Sequence, residues 1–305
     1  MTEQAVQFDC KGATLVGILH KPAQPKHRGI VVVVGGGPQY RAGGHRQLVL
    51  WSRRLCDAGY PVLRFDYRGM GDSSGEFPTF EHIDDDIRAA TDALAKFVPE
   101  VDDVVLWGEC DASSAILFCA WRDARVHGAV LLNPWARTEN IRARAVLRHY
   151  YLKRLLEPSF WRKLVSGGLN PLAALRELIA VLKRSRGSLG GAAAGRAAET
   201  TAPLSREMPL PDRLLAGLQR FNGRIMLVMS GRDLIAREFD ELFKGSPQWQ
   251  AEVARKDLER HDLPDGDHTF SSALQRNQVI GWGLDWLQAG ERAGEKTAPA
   301  AGGQR

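Results

Sequence analysis

The 305-residue chain is 44% hydrophobic and 25% charged, which suits one large α/β domain with an insertion or two small domains and excludes a disordered or fibrous protein. Its net charge of +5 is modest, and without zinc-ligand spacing, a basic zipper or an aromatic RNA-binding stretch it excludes a nucleic-acid binder. Cys10, Cys56, Cys110 and Cys119 form neither a metal spacing nor a disulfide framework, and no apolar run is long enough to span a membrane. Met1-Thr2-Glu3-Gln4 lacks the basic and apolar regions of a signal segment. The expectation is a cytoplasmic protein with reduced thiols, no metal and no cofactor.

In chain order, residues 5–10 and 14–20 flank Lys11-Gly12-Ala13 as an N-terminal hairpin. Residues 30–34 are a continuous apolar run, as a buried parallel strand requires. They lead into the loop from Gly35 to Gly44, which has no Lys-Ser/Thr and no dinucleotide spacing for cradling phosphate. A helix is expected over 46–58, stopped by Gly59, then a strand over 62–65. An acid-started helix follows over 80–97, a strand over 104–107, a helix over 113–121 and a strand over 129–132.

The alternation then breaks. Residues 135–218 read as a helical cap inserted between two parts of the core, 1–134 and 219–289. Asn170-Pro171 is a good helix start, whereas 185–211, rich in Gly, Ala, Ser and Pro, is expected to be mobile. Strands resume over 225–230 and 258–263, and a helix over 271–288 closes the domain. Residues 290–305 are expected to be a disordered tail. The fold class is α/β, with a mostly parallel central sheet and helices on both faces.

The chemistry centres on Gly108-Glu109-Cys110-Asp111-Ala112, where a strand turns sharply into a helix. Such a turn pushes the thiol out over the sheet edge and seats it at a helix N-terminus, which favours thiolate. A cysteine nucleophile needs a base, a group to orient that base, and donors for an oxyanion. Asp233, on the loop after the 225–230 strand, and His268, before the last helix, supply an acid and a base in the order nucleophile, acid, histidine. The expected oxyanion donors are the backbone N–H groups of Asp111 and Gly37, with Gln39 in reserve because Pro38 has no N–H. Gln39, Tyr40, Arg41 and His45 lie beside that loop as candidate substrate contacts. Asp233 has a plainer reading as a helix cap. Glu109 has two readings, as a like charge that raises the thiol pKa or as the partner of an arginine.

The segments from Val34 to Arg41, His45-Arg46-Gln47, Arg64 to Ser73, Gly108 to Ala112 and Asp267-His268-Thr269-Phe270 together resemble an exosortase A system-associated hydrolase of type 1. The resemblance implies the α/β-hydrolase fold and a bacterial setting near exopolysaccharide and protein-sorting genes, and it implies no particular substrate. Ala112 replaces the last glycine of the usual elbow, and cysteine in place of serine is shared with dienelactone hydrolases.

The cap carries Arg137, Arg142, Arg144, Arg148, Lys153, Arg154, Arg162 and Lys163 interleaved with Tyr150, Tyr151, Phe160 and Trp161. This is either a solvated basic face or a receiver of an anionic or amphiphilic acyl substrate near a membrane surface. The reading is a hydrolase of esters or thioesters acting through an acyl-enzyme. The competing readings are an acyltransferase that uses the same intermediate and a non-catalytic scaffold.

Overall fold

Ile30-Val31-Val32-Val33 is apolar at every position, so a strand built from it needs cover on both faces. In the computed structural model this run lies in β3 (Arg28–Val33) and is buried throughout. The structure describes residues 1–37, 40–136 and 203–297; the expected cap helices and all the cap cations named above lie outside them.

Eight strands form one sheet in the order β1-β2-β4-β3-β5-β6-β7-β8. β1 (Thr2–Cys10) and β2 (Ala13–Lys21) are the N-terminal hairpin, and β2 runs antiparallel to β4 (Val62–Asp66). β3, β4, β5 (Asp103–Glu109), β6 (Val126–Leu132), β7 (Arg224–Ser230) and β8 (Leu258–Leu263) are mutually parallel. The chain winds outward from β3 to β4, then crosses back to β5 on the other side. β3 and β5 are therefore neighbours at a topological switch point, where a crevice opens beyond their carboxyl ends.

Helices α1 (Gln47–Asp57), α2 (Asp84–Phe97) and α3 (Asp111–Cys119) fall between the strands where the sequence periodicity places them. Their inward faces carry Leu48, Trp51 and Leu55, Ile87, Ala90 and Leu94, and Ala115, Ile116 and Leu117, all buried in one core. Three Asp residues begin α2, where the helix N-terminus favours negative charge.

Three stretches of chain differ from expectation. First, α4 (Leu210–Arg220), most of it within the expected cap and only its first two residues within the expected mobile stretch, lays Leu214, Leu215 and Leu218 against the core. Gly217 lets α4 lie close on α3: a methyl there would stand 2.8 Å from the Leu117 carbonyl carbon. Gly217→Ala is expected to cost about 1–3 kcal/mol by overpacking, a loss of several degrees in Tm that calorimetry would read. Second, α5 (Leu234–Gly245) and α6 (Pro247–Arg255) fill the connection from β7 to β8. Phe239, Leu242 and Trp249 anchor them, with the Phe239 and Trp249 rings edge-on at 5.6 Å.

Third, the last helix, α7 (Ala273–Thr297), runs past the expected start of the tail at 290. The reason is long-range anchoring. Lys26 pairs with Glu291 at 2.9 Å, and Arg224 and Arg28 donate to the carbonyls of Trp286 and Leu287 at 3.0 and 3.3 Å.

Candidate active site

Cys110 joins β5 to α3 with φ 57° and ψ −125°, a backbone region costly for any residue with a Cβ. The turn is held from both sides: Cys110 N–H donates to the Leu132 carbonyl at 2.8 Å, and Trp135 N–H donates to the Cys110 carbonyl at 3.1 Å. Gly108 allows the helix to fold back onto the strand, since a Cβ there would stand 2.7 Å from Ile116 Cδ1 and 2.9 Å from the Ala112 carbonyl carbon. Ala112 is fully buried, so its small side chain fits where the usual elbow has glycine. Cys119, Cys10 and Cys56 are buried elsewhere and burial pushes their thiols up, to about 12, 11 and 11.

His268 lies on the loop after β8, and its Nδ1 is 2.7 Å from Asp233 Oδ2. That contact leaves Nε2 free of Asp233, and the ring and the Cys110 thiol act on each other's protonation. Asp233 serves two ends at once: its carboxylate accepts from Ile235 N–H at 3.0 Å and Ala236 N–H at 3.2 Å, capping α5 while it holds the imidazole. Burial opposes charge on His268, but the hydrogen bonds to Asp233 and Cys110 outweigh it and raise its pKa to about 10. Burial pushes the Cys110 thiol up, and the imidazole pulls it back.

Two residues unremarked as site candidates support this geometry. Asn133, with φ 45° at the end of β6, donates to the His268 carbonyl at 3.0 Å and accepts from Ser230 N–H at 2.8 Å. Ser230 Oγ in turn donates to the Asp267 carbonyl at 2.9 Å. Together they tie the histidine loop to the ends of β6 and β7. In the sequence, Asn133 simply follows the strand expected over 129–132.

The oxyanion loop departs from expectation. Asp111 N–H is directed at the Cys110 sulfur, as the residue after a nucleophile should be. The Asp111 carboxylate, however, accepts from Gly36 N–H at 2.6 Å, next to Gly37, the expected second donor, whose backbone also acts on it. Burial raises the Asp111 pKa, and these amide contacts oppose the rise. An incoming oxyanion would have to displace this carboxylate.

The candidate substrate contacts separate. Arg41 is buried, and its guanidinium pairs with Asp66 and, at 2.8 Å, with Asp72, so it braces the loop instead of facing substrate. Tyr40 is exposed and donates to Asp72 at 3.0 Å, and His45 is exposed with φ 53°. Gln39 lies outside the described residues. Glu109 accepts from the Gln47 side chain, where an arginine was one expectation. Among the described residues, no cluster of His, Cys, Asp or Glu could hold a metal ion, and no helix is long and apolar enough to cross a membrane.

Among curated proteins, the chain is 38% identical over 82 residues to Protein ABHD12B of Homo sapiens, covering 26% of this chain and 21% of that one. It is 29% identical over 137 residues to the quorum-quenching protein AidA of Acinetobacter baumannii (strain MDR-ZJ06), covering 43% of each. The matched stretch spans less than half the length of either relative. Among solved structures, the Pyrococcus furiosus esterase Pf2001 superposes with a TM-score of 0.61 at 15% identity, covering 94% of this chain and 91% of that one. Est1E of Butyrivibrio proteoclasticus, bound to ferulic acid, gives 0.55 at 17%, covering 93% and 100%. These likenesses are of fold. A model of the alpha/beta hydrolase family matches residues 30–280, from β3 into the last helix, and the chain belongs to that family.

Proposed function

We propose that the protein cleaves a carboxylic ester or thioester through an acyl-enzyme on Cys110. The observation that carries this reading is a thiol on a strained strand-to-helix turn, acted on by an imidazole that Asp233 holds at 2.7 Å. His268 Nε2 takes the thiol proton as sulfur attacks the acyl carbon. The tetrahedral oxyanion forms toward Asp111 N–H and the glycine loop. The imidazolium then protonates the departing oxygen or sulfur, leaving a thioester on Cys110. Water, deprotonated by the same ring, attacks that thioester, and the proton returns to sulfur as the acid leaves.

The anionic or amphiphilic acyl substrate rests on the cap composition, the cytoplasmic setting on the unpaired cysteines, and the link to exopolysaccharide and protein sorting on the family resemblance. The test is intact-mass analysis after incubation with activated acyl esters. An adduct of one acyl group on the wild type and none on Cys110→Ala supports the reading; turnover with no adduct, or an adduct that survives Cys110→Ala, overturns it. Product analysis with water and sugar hydroxyls as competing acceptors separates hydrolysis from acyl transfer.

The Asp111 carboxylate competes with the substrate oxyanion for the loop amides. A hydrogen bond to a charged group contributes about 1.5–3 kcal/mol. Asp111→Ala is therefore expected to raise kcat/KM for a small ester by about tenfold, read from steady-state kinetics. A fall in kcat with Tm unchanged would mean that the carboxylate instead holds the loop in its working shape.

A further inference from the structure

Gln47 is fully buried at the first position of α1, and the chain reaches it through two left-handed residues, His45 at φ 53° and Arg46 at φ 60°. Each such residue costs roughly 1–2 kcal/mol, so the turn needs compensation from what it places. It places the Gln47 amide against the carboxyl of Glu109, the residue before the nucleophile, with Nε2 donating to Oε2. The two remaining oxygens, Gln47 Oε1 and Glu109 Oε1, are both buried and have no hydrogen-bond partner among the described residues. Both are acceptors, and what the pair lacks is one proton. An ionised carboxylate would leave both oxygens unsatisfied out of contact with water, a costly arrangement. A carboxylic acid and a primary amide instead close two opposed hydrogen bonds.

We propose that Glu109 is a neutral carboxylic acid, doubly hydrogen-bonded to Gln47, and that its neutrality is what allows His268 to release its proton during turnover. Of the charged groups that act on Glu109, His268 would be stabilised as a cation by a carboxylate there, whereas Asp233 and Asp111 add like charge that favours the neutral acid. Burial, the largest influence, lifts the Glu109 pKa to about 8. Above that pH a negative charge appears beside the ring and holds the imidazolium proton. Attack of water on the acyl-enzyme needs the ring neutral, so ionised Glu109 slows that step. Glu109 is thus a positioning residue that acts through His268. Its role in turnover rests on the Cys110 and His268 reading, whereas its protonation state does not.

Two measurements that require no turnover test this. Infrared spectroscopy of the wild type near pH 6 should show the carbonyl band of a buried protonated carboxyl. That band should vanish as pH rises through about 8, shift in Gln47→Leu and be absent from Glu109→Gln, which keeps both hydrogen bonds to Gln47. NMR titration of the His268 ring should give a pKa about 1 unit lower in Glu109→Gln. A missing band, or a band unaffected by both substitutions, overturns the protonated pair. An unchanged His268 titration overturns the coupling. If Cys110 proves not to be acylated, both signals still stand, so the two readings fail separately.

Discussion

Cys110→Ala is expected to lower kcat for activated esters by about four to six orders of magnitude, the loss seen when a nucleophile is removed from a constellation that acts as a unit. The substitution removes one buried sulfur and leaves a methyl at the same φ, so the turn, its two flanking hydrogen bonds and the packing of Gly108 remain. The variant should therefore fold with a Tm close to that of the wild type. Stopped-flow acylation and intact mass on the same sample separate lost chemistry from lost structure. A variant that keeps more than about a hundredth of the activity would move the nucleophile elsewhere, because residual catalysis by binding and oxyanion contacts alone is smaller than that.

Asp233→Asn should cost about three to four orders of magnitude in kcat, because the amide can donate to His268 Nδ1 and so stabilises the wrong tautomer. The helix cap should survive, since Asn caps about as well as Asp and its oxygen can still accept from Ile235 and Ala236, so the stability lost is that of the His268 ion pair alone. Asp233→Ala, which loses the cap as well, should also lose about 1 kcal/mol. A pH signature accompanies the exchange. His268 has a folded pKa raised to about 10, above the roughly 6.5 of an unfolded histidine. The folded state then binds more protons between these values. The stability this group contributes is complete below about pH 6.5 and falls as pH rises toward 10. In Asp233→Asn that descent should flatten, because the anion that raised the pKa is gone. Thermal melts of both proteins from pH 6 to 10 check the sign; a steeper descent in the variant would contradict the assigned ion pair.

Much of this molecule was legible before folding because its signals are local. Ile30 to Val33 announces a strand covered on both faces, and Gly108-Glu109-Cys110 announces a sharp turn by residue type alone. Asp233 and His268 were found from their places after the strands they follow, and the 2.7 Å contact joins residues 35 apart in the chain. The cap and orienting readings of Asp233 looked like rivals in sequence. In the structure one carboxylate does both, because the end of β7 brings it over the ring while its own backbone begins α5.

The unread part was non-local. Asn133 and Ser230 are 97 residues apart and meet only because β6 and β7 are neighbours. The extension of α7 depends on Lys26 and Glu291, 265 residues apart. The pairing of Arg41 with Asp66, 25 residues away, is likewise set by burial and not by any local pattern.

By itself, the sequence determined the strand and helix pattern, the position of the sharp turn at Cys110 and the chain order of thiol, acid and imidazole. These follow from residue periodicity and turn chemistry within a few positions. Only the tertiary structure decided which partners those groups meet: the Asp111 carboxylate across the glycine loop, and the Gln47 amide against Glu109. The physical reason is that pKa shifts and hydrogen-bond satisfaction depend on burial and on contacts between distant segments, and no local pattern encodes either.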